Sequence, residues 1–116
     1  VKAAGKFVMQ HSCGDVQSLF PDLIEIGLDI FNTFQPEVMD VDRCKREYGR
    51  DLTFYGGIST QQVLPRISPA ELPAHVHDMI RRIGQDGGYI VAPTHAIPRD
   101  VPPETIVAFI EAVQNQ

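Results

Sequence analysis

Residues 52–92 read LTFYGGISTQQVLPRISPAELPAHVHDMIRRIGQDGGYIVA, and this stretch decides the fold. It opens on a short apolar run, Leu52-Thr53-Phe54-Tyr55, closed by Gly56-Gly57. An apolar run of that length bounded by turn residues is the signature of a buried strand. Ser68-Pro69-Ala70-Glu71 then combines an N-cap serine, a proline at the first helical position and a capping-box glutamate. Leu72, Val76, Met79, Ile80 and Ile83 follow at i, i+4, i+7, i+8 and i+11, which is one face of a helix. Gly87-Gly88 launches the next apolar run, 89–92 (YIVA). Strand, helix and strand in this order form a βαβ unit, whose two strands lie parallel with a right-handed crossover.

The same alternation extends in both directions. Residues 6–10 (KFVMQ) form a strand after Gly5; a helix then takes Asp15 as N-cap, turns Leu19, Leu23 and Ile26 inward and stops at Gly27. Pro21 within it implies a late start or a kink. Residues 28–33 (LDIFNT) form the second strand, and a helix over Val41–Tyr48 buries Val41, Cys44 and Tyr48 before Gly49. The last helix runs from Pro103 to Val113 with Ile106, Phe109, Ile110 and Val113 inward. The order βαβαβαβα specifies an α/β fold on four parallel strands, apolar enough for both sheet faces to be covered. Two architectures satisfy it: an open doubly wound sheet, or half of a (β/α)₈ barrel, which takes about 250 residues in full.

Composition bounds the function. The chain has 116 residues, with 10 Lys+Arg against 15 Asp+Glu and a net charge of -5. Such an acidic chain, with a pI near 5.2, lacks the basic face that nucleic-acid binding needs. Hydrophobic residues at 43% and charged residues at 22% are those of a globular domain, and no apolar run is long enough for a membrane span or a signal-peptide core. Two cysteines do not make a disulfide framework, which points to a reducing, cytoplasmic compartment. Because the chain starts with Val rather than Met, a segment is expected to precede it.

In parallel α/β folds chemistry collects at the carboxyl ends of the strands. Those ends carry His11-Ser12-Cys13-Gly14-Asp15, Asn32-Thr33-Phe34-Gln35-Pro36, Gly56-Gly57-Ile58-Ser59-Thr60 and Pro93-Thr94-His95. The opposite ends carry turn residues: Gly5, Gly27, Arg50-Asp51 and Gly87-Gly88. An imidazole and a thiolate two residues apart, His11 and Cys13, can point at one ion, and His95 in the same layer supplies a third ligand. Zinc takes N and S ligands, and a catalytic zinc uses three of them plus an open position. The competing reading of His11-x-Cys13 is a buried thiol beside a hydrogen-bonded histidine. Gly56-Gly57 is either a tight turn or a place where backbone approaches a ligand. Gln35 is a polar candidate for the site; Cys44 belongs to the core, His75 and His77 to the surface, and Asp40 and Asp42 to a helix start. There is no G-x-G-x-x-G, no Walker lysine and no nucleophile elbow.

Taken together, these motifs resemble the C-terminal half of the uroporphyrinogen decarboxylase superfamily. The matching stretches, in order, are His11-Ser12-Cys13-Gly14-Asp15, Glu25-Ile26-Gly27-Leu28-Asp29-Ile30-Phe31-Asn32, Gln35-Pro36 and Lys45-Arg46-Glu47-Tyr48-Gly49. Leu52-Thr53-Phe54-Tyr55-Gly56-Gly57-Ile58, Gly87-Gly88-Tyr89-Ile90-Val91-Ala92-Pro93 and Val101-Pro102-Pro103-Glu104-Thr105 complete the set. The resemblance implies that residues 1–116 supply the last four βα units of a (β/α)₈ barrel whose N-terminal half lies outside this chain. Two activities follow from it. Zinc-dependent methyltransferases of the family move a methyl group between a corrinoid protein and a thiol acceptor, holding zinc by a His-x-Cys pair and a later cysteine. His11 and Cys13 match the pair, and His95 stands where the third ligand is a cysteine, which changes the net ligand charge by one and makes the metal a stronger Lewis acid and the bound thiolate a weaker nucleophile. True uroporphyrinogen decarboxylases, which are lyases of tetrapyrrole synthesis, use no cofactor; there His95 would bind the porphyrinogen and Cys13 would be incidental. In either case Gln35, Gly56, Gly57 and His95 would line the substrate site, the glycines leaving room for a tetrapyrrole. The implied partner is a tetrapyrrole or a corrinoid protein. A third reading is an inactive half-barrel, whose exposed strand edges and inner face favour a homodimer or other association.

Overall fold

A computed structural model describes residues 1–116. Four strands, β1 (Met9–His11), β2 (Ile30–Phe34), β3 (Thr53–Ile58) and β4 (Tyr89–Pro93), alternate with helices α1 (Phe20–Glu25), α2 (Val41–Tyr48), α3 (Leu72–Ile83) and α4 (Pro103–Gln114). All neighbouring strands are parallel, and their order in the sheet is β1-β2-β3-β4. Each crossover therefore steps in the same direction. With right-handed connections, α1, α2 and α3 land on one face of the sheet. A doubly wound sheet needs a reversal of direction to cover its second face, so this order selects the barrel-type arc.

The core lies between the sheet and that helical layer. Phe31 and Phe54 from the strands meet Phe20 at ring-centroid distances of 4.9 and 6.0 Å, and Phe34 stacks on Phe54 at 4.3 Å. Cys44, Leu72, Val76, Met79 and Ile83 close the cluster from the helices. The other face is open: Met9 is 57% and Ile90 42% exposed. The expectation of two covered faces is thus corrected, since the apolar strand residues that suggested it are in part residues of a bare inner surface.

Local boundaries follow from identifiable chemistry. The strand expected at 6–10 is the shorter Met9–His11. The first α-helix starts late, at Phe20, with Pro21 in its first turn, where a missing N–H costs nothing. Asp15 is not its cap; a 3₁₀ turn over Gln17–Leu19 intervenes, and Asp15 accepts from the Gln17 backbone N–H instead (3.1 Å). Asp40 is the N-cap of α2, accepting from Arg43 N at 2.9 Å. Ser68 and Glu71 do bond to each other, but α3 proper begins at Leu72, because Pro73 cannot donate the bond that would join the Ser68 turn to the helix ladder. In α4 the buried residues are Thr105, Phe109 and Ala112, whereas Ile110, expected inward, is 48% exposed. No helix is long and apolar enough to cross a membrane.

Candidate metal centre

His11 ends β1, Cys13 lies two residues beyond it, and His95 lies two residues past β4. In a flat sheet, three strand spacings would hold the outer strands about 14 Å apart. Yet the His11 and His95 rings meet edge-to-face with centroids 5.9 Å apart. The two edge strands therefore lean their side chains together across a concave inner face. Ligand atoms of His11, Cys13 and His95 all lie within 4.8 Å of one another, and all three residues are exposed. His95 also borders a cleft of about 410 Å³ with His11, Asn32, Tyr55 and Pro93.

Zinc–nitrogen and zinc–sulfur bond lengths put ligand atoms of a tetrahedral site about 3.3–3.6 Å apart. Cys13 Sγ and His11 Nε2 are 3.5 Å apart, already at that spacing. The third ligand, on an exposed residue, needs to close by at most about 1.5 Å. Two imidazoles and a thiol are a donor set that zinc accepts, so residues and spacing fit the ion. The reading of Cys13 as a buried core thiol is corrected: Cys13 is exposed.

Loops and buried polar groups hold the trio. The Gly14 backbone N–H donates to Gln35 Oε1 at 2.8 Å, which ties the turn carrying Cys13 to the end of β2. Ser12 N donates to Asn32 O, and Thr33 N to Ser12 O at 3.2 Å. Beneath His95, the buried Thr94 carbonyl accepts from Thr33 Oγ1, and Thr94 Oγ1 accepts from the Thr60 backbone N–H at 3.2 Å. Three threonines from three strand ends thus seat the backbone from which His95 projects. The large majority of buried hydroxyls are paired in this way. Neither the threonines nor Asn32, which contacts His11, stood out as site residues in the sequence; their signal was position at the strand ends.

Gly56 and Gly57 are buried and adopt φ of 133° and 89°. A Cβ on Gly57 would stand 2.2 Å from the Tyr89 hydroxyl, which donates to the Gly56 carbonyl at 3.0 Å. A Cβ on Gly56 would stand 2.9 Å from the Phe34 backbone nitrogen. Close packing of β3 against its neighbours accounts for both glycines. His77 Nε2 lies 3.1 Å from the Ala112 carbonyl on α4. His75 is half-buried rather than solvated; its Nε2 has no partner, and burial lowers its pKa.

Cys44 gives a contrast with Cys13. It is fully buried, its thiol donates to Gln17 Oε1 at 3.1 Å, and burial pushes its pKa up to about 12 from an ordinary 9.0. The folded chain keeps this proton where the unfolded chain loses it, so stability falls as pH rises from about 9 toward 12. Since the thiolate is the nucleophile, iodoacetamide at pH 8 is expected to label Cys13 at least about 100-fold faster than Cys44. Peptide mass mapping over time checks this; equal rates would show that the Cys44 site opens readily.

Three similarities bear on this site. A family model described as Uroporphyrinogen decarboxylase (URO-D) matches residues 1–116. A methylated-thiol–coenzyme M methyltransferase of Methanosarcina mazei is 24% identical over 105 residues, covering 90% of this chain and 27% of that protein. The solved structure of a methyltransferase from Methanosarcina mazei has the same fold, with a TM-score of 0.72 at 18% identity, over 98% of this chain and 32% of that one. The chain thus spans about a third or less of the length of these relatives.

Proposed function

Because this chain belongs to the uroporphyrinogen decarboxylase family over its whole length, we propose that it is the C-terminal half of a family barrel that transfers a methyl group between a corrinoid and a thiol acceptor. The observation that carries the proposal is the convergence of His11, Cys13 and His95 within 4.8 Å at the carboxyl ends of the two outer strands. The relative named as a methyltransferase adds to it.

In this reading His11 Nε2, Cys13 Sγ and a ring nitrogen of His95 would hold zinc. When bound, zinc lowers the pKa of a thiol at its open position, giving a thiolate at neutral pH. The protein's part is to hold three ligands on one side and leave the fourth direction facing the concave surface. One thiolate among the ligands leaves the ion a net positive charge, which favours thiolate over thiol more strongly than a set with two cysteines. The Cys13 turn, pinned by Gln35, keeps the sulfur from swinging away. A corrinoid, if it is the donor, would supply the methyl group that such a thiolate accepts, and the part of His11, Cys13 and His95 would be to hold the acceptor sulfur facing the concave surface. His95, with His11, Asn32 and Tyr55, lines the cleft in which the donor would lie, and Gln35 holds the Cys13 turn beside it; Gly56 and Gly57 are taken up by strand packing instead. Cytoplasmic placement and a corrinoid-protein partner belong to the same proposal.

The deciding assay uses the intact protein, with methylcobalamin and a small thiol on one side and uroporphyrinogen on the other. Chelator-sensitive methylation of the thiol is expected. Decarboxylation that ignores chelators would overturn the proposal and leave His95 as a porphyrinogen-binding residue. Absence of both activities would favour an inert half-barrel.

A further inference from the structure

We propose that Asn32 is a positioning residue that fixes the tautomer of His11 and aims its bare Nε2 into the ligand trio; this rests on the metal reading above. The register of the sheet places His11, Asn32 and Tyr55 side by side on β1, β2 and β3. Asn32 bonds in both directions along this row. Its Nδ2 donates to the Tyr55 backbone carbonyl at 3.1 Å. A carbonyl can only accept, so the amide orientation is decided by this contact. Asn32 Oδ1 therefore faces His11, at 2.5 Å from Nδ1. That oxygen can only accept, so Nδ1 of a neutral His11 must carry the proton. The unprotonated nitrogen is then Nε2, the atom that lies 3.5 Å from Cys13 Sγ.

The anchor is rigid because the Tyr55 carbonyl belongs to an inner strand. Without Asn32, a neutral imidazole in water favours the proton on Nε2, the atom that has to ligate. The ring would also lose the contact that sets its rotation. Outer-sphere partners of this kind change metal affinity by about 10–100-fold when removed.

The test uses Co²⁺ binding to the full chain, read by its absorption spectrum, together with long-range proton–nitrogen correlation of His11 in the metal-free protein. Asn32→Leu keeps the branched shape and removes both the acceptor and the donor; Asn32→Asp keeps an acceptor for Nδ1–H but loses the donor to the Tyr55 carbonyl. Co²⁺ is expected to bind N32L about 10–100-fold more weakly, with N32D, which keeps the acceptor but not the anchor, recovering part of the loss. Metal-free wild type is expected to show His11 protonated on Nδ1, and N32L to shift the proton to Nε2. N32L binding within twofold of wild type, or a wild-type His11 protonated on Nε2, would overturn the inference. The nitrogen spectrum does so even if N32L folds poorly, since it is read on the wild type. If wild type binds no Co²⁺, the metal reading falls by itself, and the same spectrum still decides whether Asn32 sets the tautomer.

Discussion

Replacing Cys13 by alanine is expected to take metal content from about one ion per chain to near zero. The reason lies in the donor count. Three protein ligands hold a catalytic-type zinc, and the thiolate is the only anionic one among His11, Cys13 and His95. Two neutral imidazoles cannot offset the charge of the dication as a thiolate does. Loss of a direct ligand should therefore exceed the roughly 10–100-fold seen for outer-sphere partners. Cys13 is exposed, so the truncation leaves no cavity and the fold should be unchanged. Metal analysis of chelator-free protein, paired with Co²⁺ titration, measures the effect. A Cys13→Ala chain that still holds a full equivalent would remove Cys13 from the site. Cys44→Ala serves as the comparison, since that sulfur is buried against Gln17 and should not alter metal content.

The second large effect concerns the frame. Phe20→Ala is expected to lower stability by about 3–5 kcal/mol. Phe20 is fully buried and its ring touches three others, Phe31 at 4.9 Å, Tyr48 at 5.4 Å and Phe54 at 6.0 Å. These rings join α1 and α2 to the two inner strands, so the void would sit where the elements meet. Domains of this size are stable by about 5–15 kcal/mol in total, so the loss removes a large share. Urea unfolding followed by circular dichroism checks it. A shift of the midpoint equivalent to less than about 1 kcal/mol would mean that the helical layer collapses onto the gap.

What could be read from the residues depended on how many constraints each stretch carried. The βαβ alternation was legible because turn glycines (Gly5, Gly27, Gly49, Gly87-Gly88) lead into every apolar run. The inward face of α3 was legible because Leu72, Val76, Met79 and Ile83 alternate with polar neighbours, and all four are buried. In α4 the apolar residues occupy nearly every side, so periodicity could not choose between Ile110 and Ala112, and packing against α3 chose Ala112. The start of the helix after β1 is not legible in the sequence, because Asp15 satisfies a turn at Gln17 as well as it would a helix end. At the site, His11, Cys13 and His95 stood out by residue type alone. Asn32 and the threonines did not, because an asparagine or threonine at a strand end is ordinary until its partner on another strand, 21 to 61 residues away, is known. Gln35 and the two glycines were noticed, but the structure gives each a local contact that composition could not have revealed.

The approach of His11 to His95 across the sheet has a consequence for the chain as a polymer. The trio is supplied by the first and last strands, with roughly 80 residues between His11 and His95. An ion gripped there would act as a clasp across a long loop, and closing a long loop restricts the unfolded chain more than closing a short one. No two neighbouring strands can build the clasp by themselves, so it forms only after the whole sheet has assembled and curved. Ion retention would then report on the integrity of the entire arc, and stripping the ion would loosen its two rims before its middle.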